Sequence, residues 1–304
     1  MKRRDFIKGT AASTALLGVG SLSLSSFTNL TTKHITILHT NDVHSHIDPF
    51  PSDHPKYANM GGVSKRAVMI EQIKKENPNV LLLDAGDSFQ GTPYFNYYGG
   101  EVEFKLMSML GYEASTIGNH EFDNGVEGLA AQMPHAKFDM LNANYDFTNT
   151  VMQGLTKPYK IIIKDGIKIG IFGLGVELAG LVDKKMYQET VYLDPVEITT
   201  DIVKKLKHSE KCDLIICLSH LGYQYLNELD KISDVKLAAL TQDIDLIIGG
   251  HTHTFLDKPT ILENKAGKKV IVNQVGCYGI NLGRIDFYFD NDKNIVSKGL
   301  SISV

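Results

Sequence analysis

Five short apolar runs divide this chain, and each is long enough to form a buried β-strand before it stops at a polar residue or a glycine. The runs are residues 34–39, 79–84, 113–117, 213–219 and 244–248. In α/β folds ligands gather at the carboxyl ends of the strands, where the loops are free of the hydrogen-bond ladder. We therefore expect the residues that follow the five runs to lie at the same edge of a sheet.

Helical spacing of apolar residues predicts helices between these runs, at residues 62–76, 101–110, 126–133 and 194–208. Asp165-Gly166 separates two further apolar runs and is a strong hairpin signal. Residues 270–273 and 284–290 return to strands. Strands that alternate with helices, with hairpins late in the chain, predict an α/β fold. Its expected form is a four-layer α-β-β-α sandwich, in which two mixed sheets pack face to face between helices.

The composition is that of a globular protein, with 304 residues and a formal net charge of -4. No basic stripe is present in the sequence, so it does not support binding to a nucleic-acid polymer. The three cysteines, Cys212, Cys217 and Cys277, lack Cys-x-x-Cys spacing. We interpret them as small core residues and expect neither metal ligation nor a disulfide framework from them.

Side chains that bind metals follow all five apolar runs. They are Asp42 and His44, Asp87, Asn119 and His120, His220, and finally His251 and His253. A single histidine near a strand end, such as His39, is usually a core or surface residue, but five such strand ends indicate one centre. Two divalent ions that share a carboxylate can activate water and neutralise charge on a phosphoryl group. The pattern predicts a two-metal phosphoesterase with ions of the Zn, Mn, Fe or Co type.

The order of these motifs resembles the calcineurin-like metallophosphoesterase superfamily. Residues 118–125 (GNHEFDNG), 86–100 (GDSFQGTPYFNYYGG) and 61–67 (GGVSKRA) are similar to the amino-terminal catalytic domain of bacterial 5'-nucleotidases and 2',3'-cyclic-nucleotide phosphodiesterases. The resemblance implies a fold of the metallo-dependent phosphatase type. It also implies that residues 31–304 are one catalytic domain.

The resemblance further implies two metal ions that share the Asp87 carboxylate. The other ligands divide into two sets of three, with Asp42, His44 and His253 for one ion and Asn119, His220 and His251 for the other. The implied mechanism is direct in-line attack on phosphorus by a hydroxide that bridges the ions, with no covalent enzyme intermediate.

His120 follows Asn119 directly, so its side chain is expected to point away from the ligands and toward the substrate. The resemblance makes it the group that contacts the transferring phosphoryl oxygen. Asp123, three residues later, is placed to accept a hydrogen bond from His120 and fix its orientation. The alternative interpretation is that Asp123 caps the following helix, and both roles can coexist.

Two features concern the mouth of the predicted site. Residues 52–59 are expected to form a loop over it, because prolines surround and interrupt this segment. Aromatic residues cluster just after Asp87, at Phe89, Tyr94, Phe95, Tyr97 and Tyr98. Packing under the site loops is the favoured interpretation of this cluster, with a role at the pocket rim as the alternative.

The first 30 residues have the features of a twin-arginine export signal. Arg3 and Arg4 precede a Phe-Ile pair and Lys8, and residues 9–24 are moderately apolar. This run is too short and too weakly apolar for a confident membrane span. We expect export to the periplasm or cell envelope and no stable span beyond the signal. A basic start to a cytosolic protein is the alternative.

The function expected from these observations is hydrolysis of nucleoside 5'-monophosphates or related phosphate monoesters. One alternative is a 2',3'-cyclic-nucleotide phosphodiesterase or a broad-specificity phosphatase. Another is a non-catalytic partner subunit of a split nucleotidase. Full-length 5'-nucleotidases that resemble this chain have a second domain that stacks the base, whereas this sequence ends at Val304. We expect either a separate polypeptide that supplies this domain or a broad range of small esters.

Overall fold

The computed structural model describes residues 32–291 and 294–304. The chain divides into two compact units, of which the larger comprises His34–Phe287 and Ser297–Val304. The smaller unit includes the tip of the last hairpin, where the Asn294 N–H donates to Asp290 Oδ1 at 2.8 Å. The predicted export signal lies outside the described residues.

The first six-stranded sheet has the strand order β14-β13-β1-β2-β3-β4. Strands β1 to β4 run parallel. The strand bounds are β1 Lys33–Thr40, β2 Val80–Asp84, β3 Ala114–Thr116, β4 Asp139–Leu141, β13 Asn281–Phe289 and β14 Ile295–Ser303.

The second six-stranded sheet has the order β11-β12-β10-β9-β7-β6, and a two-stranded sheet pairs β5 with β8. Strands β7, β9, β10 and β12 run parallel, while β6 and β11 are antiparallel to their neighbours. The strand bounds are β5 Tyr145–Asp146, β6 Tyr159–Lys164, β7 Ile167–Leu174, β8 Val191–Tyr192, β9 Leu214–Ser219, β10 Leu246–Gly249, β11 Thr260–Glu263 and β12 Lys269–Asn273. The predicted Asp165-Gly166 hairpin joins β6 to β7.

Helices cover the outer faces of the two sheets. Their bounds are α1 Val63–Glu76, α2 Pro93–Tyr98, α3 Glu101–Leu110, α4 Gly125–Gln132, α5 Lys184–Tyr187, α6 Pro195–Lys204 and α7 Asp234–Leu240. Residues from α1, α3 and α4 share one core with the first sheet, and residues from α6 and α7 share another with the second. Between the sheets the approach is close, since a Cβ at Gly173 would lie 2.1 Å from the Leu141 carbonyl oxygen. The predicted four-layer arrangement of two mixed sheets between helices is therefore confirmed.

Within residues 32–291 and 294–304, none of the helices combines the length and the apolar character that a bilayer crossing requires.

The structure corrects the expectation that all five ligand segments lie at one edge of one sheet. The segments after β1, β2 and β3 belong to the first sheet, and those after β9 and β10 belong to the second. Both sets lie at carboxyl ends of parallel strands, and the two sheet edges meet. Apolar runs reveal where strands end, but pairing between distant strands is not encoded in any one of them.

A buried histidine on β1 connects the first sheet to the second. His39 on β1 is fully buried, and its Nε2 accepts a hydrogen bond from Asn273 Nδ2 on β12 at 2.8 Å. Burial lowers the pKa of His39 to about 3. The interpretation of His39 as a core residue is confirmed.

Replacing His39 with Gln is expected to reduce the loss of stability in acid. The unfolded chain protonates this imidazole below about pH 6.5, whereas the folded chain resists until about pH 3, so stability falls across that window by up to about 1.4 kcal/mol per pH unit. Gln keeps an acceptor toward Asn273 but does not titrate. Urea unfolding near pH 7 and near pH 5 should show a drop about 2 kcal/mol smaller in the variant. Parallel pH dependence in both proteins would contradict this account.

Candidate metal centre

The residues predicted as ligands occupy the loops that follow five strands. Asp42 and His44 follow β1, Asp87 follows β2, and Asn119 follows β3. His220 follows β9 directly, and His251 and His253 come after β10. All are buried except His251 and His253, which are partly exposed. The structure thus brings seven side chains from two sheets to one place.

Five of these seven residues have left-handed backbone conformations although none is a glycine. They are Asp42 (φ 49°), His44 (φ 49°), Asp87 (φ 54°), His251 (φ 72°) and His253 (φ 50°). Such a conformation costs about 1–3 kcal/mol per residue and persists only where the surroundings determine it. Such strain concentrates at functional sites, and here it turns the side chains toward a common centre.

Backbone hydrogen bonds hold the strained loops together. The Asp42 N–H donates to the Gly86 carbonyl at 2.9 Å, and the His44 N–H donates to the Asp87 carbonyl at 3.0 Å. The loops after β1 and β2 therefore remain hydrogen-bonded to each other beyond the ends of the two paired strands. The Asp42 carboxylate also accepts the His251 N–H, with distances of 2.9 and 3.1 Å to its two oxygens. This contact connects the two sheets through a ligand side chain.

Two glycines allow the loops to approach this closely. A Cβ at Gly118 would lie 2.2 Å from Asp87 Oδ1, and a Cβ at Gly250 would lie 2.8 Å from His220 Nδ1. Any side chain at either position would displace a predicted ligand.

The first group of side chains that could hold a metal ion comprises Asp42, His44 and His253, whose ligand atoms all lie within 4.8 Å of one another. Nε2 of His253 lies 3.4 Å from Asp42 Oδ1 and 2.9 Å from His44 Nε2. His44 Nδ1 is 3.2 Å from the Phe89 carbonyl oxygen, so it is the donor and Nε2 carries the lone pair. Burial lowers the pKa of His44, which keeps that imidazole neutral.

The second group comprises Asp87, His220 and His251, again with all ligand atoms within 4.8 Å. Asn119 adds a fourth ligand atom, because its Oδ1 lies 2.8 Å from His251 Nδ1. Burial and the neighbouring His220 lower the pKa of His251 to about 4, so its imidazole is neutral. Asp87 also lies near the first group, with Oδ2 at 4.0 Å from His44 Nε2. This carboxylate therefore stands between the two groups.

The contact between His220 and Asp87 indicates whether a cation would be stable between these two side chains. His220 Nδ1 donates to the Ala85 carbonyl at 2.6 Å, so Nε2 is the ring atom that faces Asp87 Oδ2, 3.0 Å away. Within the described part of the chain, this fully buried Nε2 has no hydrogen-bond partner. Burial alone would lower the pKa of His220, but Asp87 and Asp42 raise it to about 10. The site favours a positive charge between the two atoms, and a bound metal ion meets that need.

His120 lies beside this arrangement. Its backbone N–H donates to Asp87 Oδ1 at 2.8 Å, and its Nδ1 donates to Asp123 Oδ2 at 2.9 Å. That bond raises the pKa of His120. The structure does not support the alternative role of Asp123 as a helix cap: Asn124 occupies the N-cap position of α4, and the Asp123 carboxylate accepts from His120 instead.

Comparison with known proteins identifies the family. The model of the calcineurin-like phosphoesterase family matches residues 35–255. The chain belongs to this family. The predicted enzyme class, a metal-dependent phosphoric ester hydrolase, is confirmed by the match.

Several relatives of this calcineurin-like phosphoesterase have names that refer to nucleotides. It is 37% identical over 284 residues to the 5'-nucleotidase of Rattus norvegicus, covering 86% of this chain and 48% of that protein. It is 33% identical over 294 residues to the trifunctional nucleotide phosphoesterase protein YfkN of Bacillus subtilis, covering 86% of this chain and 18% of that protein. This chain spans about half the length of most of the curated relatives it matches.

Solved structures agree with the family assignment. The 5'-nucleotidase precursor from Thermus thermophilus superposes with a TM-score of 0.80 and 32% sequence identity, over 90% of this chain and 55% of that one. The resemblance to amino-terminal domains of bacterial 5'-nucleotidases is therefore confirmed.

Sequence reasoning missed the role of Glu121 in this calcineurin-like phosphoesterase. Oε2 accepts the N–H groups of Asp87 (2.9 Å) and Gly118 (2.7 Å). Oε1 accepts the Ser88 N–H and hydroxyl and the Phe89 N–H, at 2.8, 3.0 and 3.3 Å. Glu121 therefore fixes the Asp87 loop with four hydrogen bonds, and the fifth ties Gly118 in its own loop. One signal was available in the sequence. Glu121 is an acidic residue inside the motif of residues 118–125, between His120 and Asp123, which were both assigned roles.

Replacing Glu121 with Gln is expected to destabilise the fold by about 2–4 kcal/mol, because an amide NH₂ must then face donors that need an acceptor. Bound metal per chain should fall as well, since the Asp87 loop loses its support. Urea unfolding and metal analysis measure the two effects. Glu101→Gln, at an exposed surface ion pair with Lys105, is the matched control and should behave as wild type. Equal stability of the Glu121 variant and the control would refute the positioning role.

Proposed function

We propose that the chain is a dinuclear metal-dependent phosphoesterase that hydrolyses nucleoside 5'-monophosphates or related phosphate esters. The observation that carries the proposal is that the Asp87 carboxylate belongs to the group with His220 and His251 and also to a group with His44 and His120, and so adjoins the Asp42, His44 and His253 group. Within each group the ligand atoms lie within 4.8 Å of one another. A structural metal site is normally closed by one complete set of ligands, whereas two adjoining groups around a shared carboxylate are typical of hydrolytic two-metal sites.

We assign the ligands as the family resemblance implies. Asp42, His44 and His253 would hold one ion, Asn119, His220 and His251 would hold the other, and Asp87 would contact both. Bound ions of this kind lower the pKa of water toward neutrality and neutralise phosphoryl charge. The mixture of imidazole, carboxylate and amide oxygen suits Zn, Mn, Fe or Co.

The protein's own groups then orient the reaction. His120 lies within ring contact of His44, with centroids 5.1 Å apart, so its Nε2 can reach a phosphoryl oxygen bound beside the first group. Asp123 accepts the Nδ1 hydrogen, which fixes the ring and favours the protonated imidazole that donates to that oxygen. Both side chains are about one-third exposed, which leaves the substrate a route to them.

The substrate class is supported by the relatives, whose names specify 5'-nucleotidases and a nucleotide phosphoesterase. The same centre is also suited to a cyclic diester, because attack on phosphorus is common to both reactions. The monoester is the leading proposal because 5'-nucleotidases predominate among these relatives.

One assay tests the reaction type and the metal requirement together. Purified protein is given a nucleoside 5'-monophosphate, a 2',3'-cyclic nucleotide and a chromogenic phosphate ester, each with Mn or Zn, and metal content is measured on the same sample. We expect two ions per chain and the fastest turnover on the monophosphate. Faster turnover of the cyclic ester would favour the phosphodiesterase. No hydrolysis with any metal, together with a stable co-purifying protein, would favour the non-catalytic subunit.

We also propose export by the twin-arginine route, on the evidence of Arg3, Arg4 and the apolar run after them. Cell fractionation of wild type and of a variant with both arginines changed to lysine tests it, with retention of the variant in the cytoplasm as the expected result.

We also propose a separate chain that supplies a second nucleotidase domain as a partner of this one. Pull-down from the envelope fraction tests this proposal.

A further inference from the structure

A set of aromatic rings extends outward from the metal centre on this chain. Three of them, Tyr57, Tyr278 and Phe255, form what we call the aromatic shelf. Tyr278 lies next to the first ligand group, with ring centroids 5.9 Å from His253 and 6.0 Å from His44. Tyr57 lies 6.3 Å beyond Tyr278, and Phe255 lies 6.4 Å from Tyr57. The shelf therefore begins at a ligand histidine and leads away from it.

The loop that carries Tyr57 is held in place by its own contacts. The Phe50 N–H donates to the Met60 carbonyl at 2.9 Å, and the Asn59 N–H donates to the Phe50 carbonyl at 3.1 Å. Inside the loop, His54 Nδ1 accepts the Tyr57 N–H at 2.9 Å, and the two rings stack at 8°. Tyr57 is thus presented on a fixed backbone, so little conformational entropy is lost when a ligand packs against its ring.

The outer part of the shelf faces solvent. Phe255 is 43% exposed, and one side of its ring rests on Gly276, where a Cβ would lie 2.2 Å from the ring. Its ring and that of Tyr57 are nearly parallel, at 20°. Lys56 lies over both, with Nζ 4.8 Å from the Tyr57 centroid and 5.8 Å from the Phe255 centroid. An aromatic surface with a rigid backbone and a mobile lysine ammonium beside its rings is suited to a planar ring that has hydrogen-bond acceptors.

We propose that the aromatic shelf binds the nucleobase, or another planar aromatic group, of the phosphate ester whose phosphate occupies the metal centre. This inference rests on the proposed function and specifies its substrate class. The steps of about 6 Å from His253 to Tyr278 and on to Tyr57 are comparable to the spacing of phosphate, sugar and base in a nucleotide. The shelf belongs to this chain, so the catalytic domain would itself contact the base.

The experiment compares two substrates in the full-length protein and in two variants, Phe255→Leu and Tyr57→Leu. Adenosine 5'-monophosphate has a planar base, and glycerol phosphate has none. Each variant should raise KM for the nucleotide by about ten-fold, as expected when one stacking ring is lost, and leave KM for glycerol phosphate unchanged. The nucleotide kcat should change little, because Tyr278 separates Tyr57 from the ligand histidines and neither substituted ring is a proposed ligand.

The matched control is Tyr97→Leu, which removes an aromatic ring that is 83% exposed on α2. It should leave both KM values unchanged. Equal KM changes for the two substrates in the shelf variants, or no change for either, would overturn the proposal. A selective loss of the same size in the control would overturn it too.

A binding measurement separates this proposal from the proposed function. Saturation-transfer NMR with adenosine needs no turnover, and base-proton signals should appear with wild type and disappear with the double variant Y57L/F255L. If wild type hydrolyses no ester but binds adenosine in this way, the proposed function fails and the shelf stands. If it hydrolyses nucleotides but the double variant keeps the signals, the shelf fails.

Discussion

Replacing Asp87 with Asn is expected to abolish phosphoesterase activity and to remove bound metal at the same time. Oδ2 of Asp87 lies 3.0 Å from His220 and 4.0 Å from His44, so one atom serves both ligand groups. Burial alone would raise the pKa of Asp87, but His220 and His44 keep it well below its ordinary value, so the group is ionised. An amide would keep the shape and lose the charge.

The amide would also be forced into one orientation. Oδ1 of Asp87 accepts the His120 N–H at 2.8 Å, so the oxygen of Asn is retained there and the NH₂ faces His220. A donor would then occupy the position where a cation is needed. Loss of a shared charged ligand should reduce kcat/KM by at least about a thousand-fold, which corresponds to about 4 kcal/mol.

Metal analysis and hydrolysis of a chromogenic ester measure the two effects on one sample. Asp245→Asn is the matched control, since this partly buried carboxylate accepts the Ile215 N–H at the start of β9, at the end of the strand remote from the site. It should retain both metal and activity. Full turnover by the Asp87 variant would reject the shared-ligand interpretation.

The sequence predicted those parts of the fold that are determined locally. Strands β2, β9 and β10 are nearly continuous apolar runs, so their ends were visible in the residue pattern. Asp194 precedes a proline and caps α6 through hydrogen bonds to the Val196 and Glu197 N–H groups, at 2.7 and 3.0 Å. The predicted helix was nevertheless too long. Regular α-helix ends at Lys204, and a π-helical turn follows from Lys205 to Ser209, a change that apolar spacing does not reveal.

Features that depend on contacts between distant segments were not predicted. Glu121 and the loop it supports lie 32 to 34 residues apart. The left-handed conformations of Asp42 and His44 are held by hydrogen bonds to the neighbouring loop. Asp and His adopt this region more often than most residues, but residue type alone does not predict it. In the aromatic cluster after Asp87, Phe89 and Phe95 are buried, which confirms the packing interpretation for these two, but it is wrong for Tyr97 and Tyr98, which are exposed. The rings of the aromatic shelf come from segments more than 190 residues apart.

Catalysis should depend on His120 even when both metals are bound. Replacing His120 with Asn is expected to reduce kcat by about 10²- to 10⁴-fold while bound metal stays at the wild-type level, because the proposed ligand set does not include His120. One of the groups near Asp87 does include its ring, together with His44, so metal content is a necessary measurement. A parallel loss of metal would show that His120 is a ligand and would reject the proposed role.

Asp123 should act through His120 rather than independently. Asp123→Asn keeps a hydrogen-bond acceptor near Nδ1 but removes the charge that raises the pKa of His120, so a smaller loss of kcat is expected. The double variant should be no slower than His120→Asn alone, because Asp123 has nothing left to orient. A purely structural role would instead give losses that add. The double-mutant cycle, measured as kcat on one nucleotide at saturating metal, therefore distinguishes a working His120–Asp123 pair from two residues that merely stabilise the loop before α4.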